Sequence, residues 1–176
     1  EHHNLGWGGA GMTSLSNPLV QNVWNRLRPD NSSLIYDFSQ FTADVIVINA
    51  GSNDSYQGDN RTNVIAGWED LILNRIRPVH PNAHIVLADS WGWRFNEPAN
   101  YLSVAVADLN SKGESNVSWV SWPWLWGQSH AVIEEHGGFA NIIAAHIAAR
   151  MGWTAPAPNT LSSFAGTGLV SGRQPR

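Results

Sequence analysis

The chain has 176 residues, 43% hydrophobic and only 14% charged, enough for one domain with a real core. Its net charge of −4 and single lysine, Lys112, argue against nucleic acid as the main partner. The absence of cysteine excludes disulfides, thiolate nucleophiles and cysteine-ligated zinc. No apolar run approaches the ~20 residues that a helix needs to span a bilayer.

In chain order, His2 to Leu5 reads as the end of a strand entering the glycine loop Gly6-Trp7-Gly8-Gly9-Ala10-Gly11. Asn17-Pro18 opens a helix with Leu19, Val23, Trp24 and Leu27 at helical spacing, and Pro29 to Ser33 is a turn. Val45 to Ala50, mostly β-branched, reads as a buried parallel strand that breaks at Gly51 into Ser52, Asn53 and Asp54. A helix over Val64 to Arg77 places Ile65, Trp68, Leu71, Ile72 and Ile76 on one side. His84 to Ala88 is the next strand, followed by a Trp-rich loop and a helix from about Ala99 to Asn110. Val117 to Trp122 is a further strand, and the last helix runs from about Gly138 to Met151. Residues 1–152 thus form one domain, and 153–176, rich in Pro, Ala, Ser and Gly, read as a tail or linker. Strands alternating with helices predict an α/β fold with a parallel sheet.

In such a sheet, ligands sit beyond the carboxyl ends of the strands, which places chemistry in the Gly51 to Asp54 loop. A short amide there, Asn53, is suited to donate a hydrogen bond to a developing oxyanion. Seven of the ten tryptophans fall near loops: Trp7, Trp91, Trp93, Trp119, Trp122, Trp124 and Trp126. Indoles stack on sugar faces and line apolar clefts, so Trp7, Trp91 and Trp124 are candidate substrate contacts beside the alternative of core packing. Sequons at Asn31, Asn60 and Asn116, with a start at Glu1 in place of methionine, suggest a processed, secreted glycoprotein. A fourth sequon, on Asn53, is expected to be unused, because a glycan there would block the site. His2 and His3 would point to opposite faces of a strand, and no His/Asp/Glu cluster has convincing metal spacing. No metal or other cofactor is expected.

Three motifs resemble the SGNH (GDSL-type) hydrolases over about Asn4 to Met151: Asn4-x-Gly6-x-x-Gly9, Gly51-x-Asn53-Asp54, and His136-Gly137-Gly138 before a helix. Arg77-Pro78-x-His80-Pro81-Asn82 also resembles the family's entry to its next strand. The resemblance implies a flavodoxin-like three-layer α/β fold of SGNH type. It implies that Gly9 N–H and the Asn53 side chain form the oxyanion hole and that His136 is the general base. His130 is the competing histidine, and His146 reads as a packing or surface residue. The family's acid usually lies three residues before the histidine, where this chain has Ile133. Glu134 is placed as in some sugar O-acetyl esterases; either it orients His136, or a backbone carbonyl does so, leaving a dyad, and Glu134 supplies charge at a helix start.

The family's nucleophile belongs to a Gly-Asp-Ser block on a first strand, and no Gly-Asp-Ser occurs in these residues. The sheet is therefore expected to lack its first strand, with the serine on an upstream fragment of the same precursor. Self-association through open strand edges is the other way to fill the gap. The expected function is hydrolysis of an acylated carbohydrate or other small ester. A non-catalytic sugar-binding or self-assembling remnant stands as the alternative.

Overall fold

The computed structural model describes residues 3–28, 30–89, 101–122, 130–131 and 133–158. Their elements are α1 (Val20–Val23), β1 (Val45–Asn49), α2 (Ser52–Tyr56), α3 (Arg61–Glu69), β2 (His84–Ala88), α4 (Tyr101–Ser111), β3 (Val117–Val120) and α5 (Ile133–Met151). Asp70–Ile76 continues α3 as a π-helical stretch. The strands form one parallel sheet in the order β1-β2-β3, with Val45 opposite His84 and Ile85 opposite Val117. No described helix is long and apolar enough to cross a membrane.

The pleat divides the side chains between two layers. Ile85 and Leu87 join Trp68, Leu71, Ile72, Leu102 and Leu109 of α3, its continuation and α4 in the larger core. Val86 and Ala88 point the other way, against Val120, Trp122 and Phe139, with Ile142, Ile143 and Ile147 of α5 packed beside them. The result is helix, sheet, helix: the three-layer arrangement read from the sequence. β2 is buried along its whole length, as an apolar run covered on both faces should be.

β1 differs. Ile46 and Ile48 pack into the larger core, but Val47 on the opposite face is 41% exposed. Its ladder runs to β2 alone, so the other edge of an apolar parallel strand is open among the described residues. The described sheet thus has three strands, and its β1 edge is open, in keeping with the expectation of a missing first strand.

The amino-terminal end of the sheet is tied by Arg77. Its Nη1 donates to the carbonyls of His80 (3.1 Å) and Ala83 (2.7 Å), and Nη2 donates to Glu114 Oε1 (2.9 Å) and the Asn116 carbonyl (3.2 Å). Nε completes a two-pronged pair with Glu114 Oε2. The Asn116 side chain adds Nδ2 donation to the carbonyls of Asn82 (3.0 Å) and Ala83 (3.2 Å). The entries to β2 and β3 are thereby fastened to the end of the α3 continuation.

Three expectations are corrected. No strand is present over 3–5, which run into the glycine loop as irregular chain. α1 is a single turn, because the chain after Trp24 folds back, with Leu27 N–H on the Leu34 carbonyl (2.8 Å) and Leu27 exposed. α5 begins at Ile133, five residues before Gly138. Glu134 and Glu135 favour a helix start, and Gly137 and Gly138 are buried packing positions within the helix.

Burial pushes the Glu114 carboxyl up, but hydrogen bonds from Arg77 and the Asn116 N–H, with the Arg77 and His84 charges, outweigh it and hold the carboxyl below its ordinary value. A carboxyl lower in the folded than in the unfolded chain stabilises above the unfolded value, and that contribution is lost as pH falls. Urea unfolding should therefore show stability falling with acidification below about pH 4.5, less steeply in Glu114→Gln. Arg77→Met, which strands the carboxylate, should cost about 3–5 kcal/mol.

Candidate active site

The site is assembled at the carboxyl ends of the strands. β1 ends at Asn49, and Gly51, at φ +105°, makes the left-handed turn that starts α2. Only glycine fits there, since a Cβ would lie 2.7 Å from the Tyr101 hydroxyl, which itself donates to the Ala50 carbonyl at 3.2 Å. The turn sets Asn53 and Asp54 in the first turn of α2, facing the glycine loop.

Asp54 has no solvent exposure and no cation among its partners in the described residues. Its carboxylate accepts from Met12 N–H (2.9 Å to Oδ1, 3.0 Å to Oδ2), Thr13 N–H (3.0 Å) and Thr13 Oγ1 (3.0 Å), with Ser16 Oγ at 3.4 Å. Converging neutral donors stand in for a counter-charge, as charge-assisted hydrogen bonds can. The clamp draws the segment after the glycine loop onto α2. Gly11 lies inside it: a Cβ would meet Ser16 Oγ at 2.1 Å and Asp54 Oδ1 at 2.7 Å.

Within this frame Asn53 Nδ2 donates to the Ala10 carbonyl at 2.7 Å. A backbone carbonyl can only accept, so this bond fixes which end of the amide is nitrogen and leaves its second N–H to point elsewhere. Gly9, exposed at φ +75°, is one residue before Ala10, and its N–H meets no acceptor among the described residues. Two of the expected oxyanion donors therefore belong to loops hydrogen-bonded to each other. Trp7 lies half-buried in the same glycine loop.

His136 comes from the other layer. It is exposed in the first turn of α5, its ring 6.2 Å from that of Phe139, which stacks on Trp122 at 4.4 Å. That stack seats the start of α5 beside the carboxyl end of β3, the same end of the sheet as Asn53. Glu134 is also exposed on α5. Residues two apart on a helix do not face each other, so helix geometry disfavours Glu134 as the group that orients His136. Trp91 and Trp124 lie outside the described residues. His130 is exposed, and no three described His, Cys, Asp or Glu residues are grouped to hold a metal ion.

The sequence reading passed over Thr13, Ser16 and Asp89. Asp89, fully buried after β2, accepts from Ser121 Oγ at 2.9 Å, while its carbonyl accepts from Asn49 Nδ2. Its signal was an aspartate directly after the most apolar strand. Thr13 and Ser16 had none, because their role depends on a residue about forty positions away.

No family model matches the chain. It is 28% identical over 163 residues to the cellulase/esterase CelE of Acetivibrio thermocellus, covering 85% of this chain and 20% of that protein. A solved family two carbohydrate esterase from Clostridium thermocellum, in complex with cellohexaose, has TM-score 0.73 at 26% identity, with 83% of this chain and 49% of that one covered. The chain is an SGNH-type relative of the family two carbohydrate esterases. A family two carbohydrate esterase plus carbohydrate binding domain from Corynascus thermopiles shares the fold, with TM-score 0.68 at 22% identity over 84% of this chain and 51% of that one. The SGNH-type region here spans a fifth of the curated relative and about half of each solved one.

The clamp should be the costliest part of the site to disturb. Asp54→Ala, which strands two backbone N–H groups, should lower stability by about 3 kcal/mol or more. In a chain of this size that is a melting shift of roughly 6–12 °C in a thermal scan. Ser16→Ala, at the long contact, should cost less than about 1 kcal/mol.

Proposed function

We propose that this chain supplies the oxyanion hole and general base of a serine esterase that removes acyl groups from a carbohydrate. The observation that carries the reading is the Asp54 clamp, which holds the Gly9 loop against the loop of Asn53 at the carboxyl end of a parallel sheet. Two donors on rigid, mutually bonded loops are what an acyl-transfer transition state requires. Similarity to carbohydrate esterases, one of them in complex with cellohexaose, supports a saccharide over other small esters.

In this mechanism a serine hydroxyl attacks the ester carbonyl carbon while His136 takes its proton. The carbonyl oxygen becomes an oxyanion between Gly9 N–H and the second N–H of Asn53. Collapse expels the sugar alcohol, which takes the proton from His136, and water then releases the acid by the same path. Glu134 is assigned charge stabilisation of the α5 start. The serine comes from an upstream segment of the same precursor. A parallel strand laid on the open edge of β1 would end beside Asn53, so the gap in the sheet and the gap in the chemistry coincide. The reading includes secretion, with Asn31 and Asn60 as the sequons whose side-chain nitrogens are open to a glycan.

The natural material should be treated with a fluorophosphonate probe and the adduct located by peptide mass spectrometry. An adduct on a serine outside these 176 residues is expected. A folded sample that takes up no probe yet binds cello-oligosaccharide would overturn catalysis in favour of a sugar-binding remnant. In the active material Asn53→Ala should reduce kcat about 10²–10³-fold without lowering the melting temperature to match.

A further inference from the structure

The helix that carries His136 is held to the sheet by little apolar surface. Its buried side chains include Glu135, Phe139 and Ala148, while Ile142, Ile143 and Ile147 are only half-covered. At its far end, ten residues and about 15 Å from His136, the chain makes a polar connection that the proposed chemistry does not use. His146 Nε2 lies 2.9 Å from Ser118 Oγ on β3, and Ser118 Oγ lies 2.7 Å from His84 Nε2 on β2. His84 Nδ1 lies 2.8 Å from Asn116 Oδ1. Ser118 is 2% exposed and His84 9%.

The proton positions in this row follow from its fixed end. Asn116 spends its Nδ2 on the Asn82 and Ala83 carbonyls, so its Oδ1 must accept, and His84 must carry its proton on Nδ1. His84 Nε2 is then an acceptor, and the Ser118 hydroxyl donates to it. The serine oxygen is left to accept, so neutral His146 carries its proton on Nε2. Every link runs in one direction, and the Ser118 hydroxyl keeps an acceptor as long as at least one of the two imidazoles is neutral.

We propose that His146, Ser118 and His84 form an acid-sensitive latch that fastens α5, and with it His136, to the sheet. Once both imidazoles are protonated, the Ser118 hydroxyl faces an N–H on each side and that buried donor is left without an acceptor. Protonation of His146 would put a cation in a half-buried position beside Arg150 of its own helix and facing His84. The groups around the row are Arg150 on α5, His84 on β2, and Glu114 before β3, which acts on His84 but is itself engaged by Arg77. Burial, then the Arg150 and His84 charges, hold His146 below the ordinary histidine value. A histidine lower in the folded than in the unfolded chain gives full stability above the unfolded value and loses it as pH falls. The latch is therefore shut near neutrality and weakens below about pH 6.5. It rests on the proposed function only in naming His136 as the base.

The test is amide hydrogen exchange, which needs no turnover, at about pH 7.5 and about pH 5.5 after correction for intrinsic rates. The opening constant of α5 should rise about tenfold or more on acidification, with α3 and α4 changing far less. In His146→Gln and Ser118→Ala the α5 response should shrink severalfold. Imidazole ¹⁵N shifts of the unmodified protein at neutral pH should show the Nδ1–H form of His84 and the Nε2–H form of His146. An α5 opening that is flat with pH, one that moves only with the whole molecule, or opposite tautomers would each overturn the latch. An unchanged pH response in His146→Gln would do the same. A fluorophosphonate result against catalysis would leave all of these readouts standing.

Discussion

A single buried carboxylate organises the candidate site. Asp54 sits where a charge should be expensive, with no cation beside it among the described residues, and is kept there by donors from Met12 and Thr13. Because those donors belong to the segment just after the glycine loop, the carboxylate converts two separate loops into one rigid unit. The orientation of the Asn53 amide, the position of Ala10 and the need for glycine at position 11 all follow from that contact. A neutral side chain would lack the charge that makes several converging N–H and O–H groups favourable.

The two faces of the sheet are stabilised by different means. On one side, the large core around Trp68, Leu71 and Leu102 holds α3 and α4 chiefly by apolar burial. On the other, α5 relies on a smaller cluster centred on Trp122 and Phe139, supplemented by the polar row through Ser118. The candidate base is thus mounted on the less firmly packed layer, and the oxyanion donors on the firmer one. Relative motion between the two would alter the reacting distance without disturbing the oxyanion hole.

How far the sequence could be read depended on the range of the forces involved. β2 was legible to the residue, since an apolar run between Asn82 and Asp89 has no competing use. The layers and the missing strand were legible from alternation and from the absence of Gly-Asp-Ser. The start of α5 was not, because glycines at 137 and 138 look like a break until packing supplies a reason for them. That shift puts Glu134 and His136 on one helix, which changes their relationship. The anchoring of Asp54 by Thr13 and Ser16, and the row from Asn116 to His146, join residues far apart in the chain. Only tertiary structure reveals them.

Asn116 joins two arrangements that otherwise look separate. Its carbonyl accepts from Arg77, its amide nitrogen serves Asn82 and Ala83, and its amide oxygen faces His84. The nitrogen that an oligosaccharyltransferase would modify is therefore already engaged in the folded domain. Sugar could be attached there only to a nascent chain, and the finished chain would then lack the hydrogen bonds that bring β2 and β3 into register. In a compartment that holds such a transferase, folding speed would decide the fate of this Asn-x-Ser: a domain that closes before the transferase arrives keeps its amide.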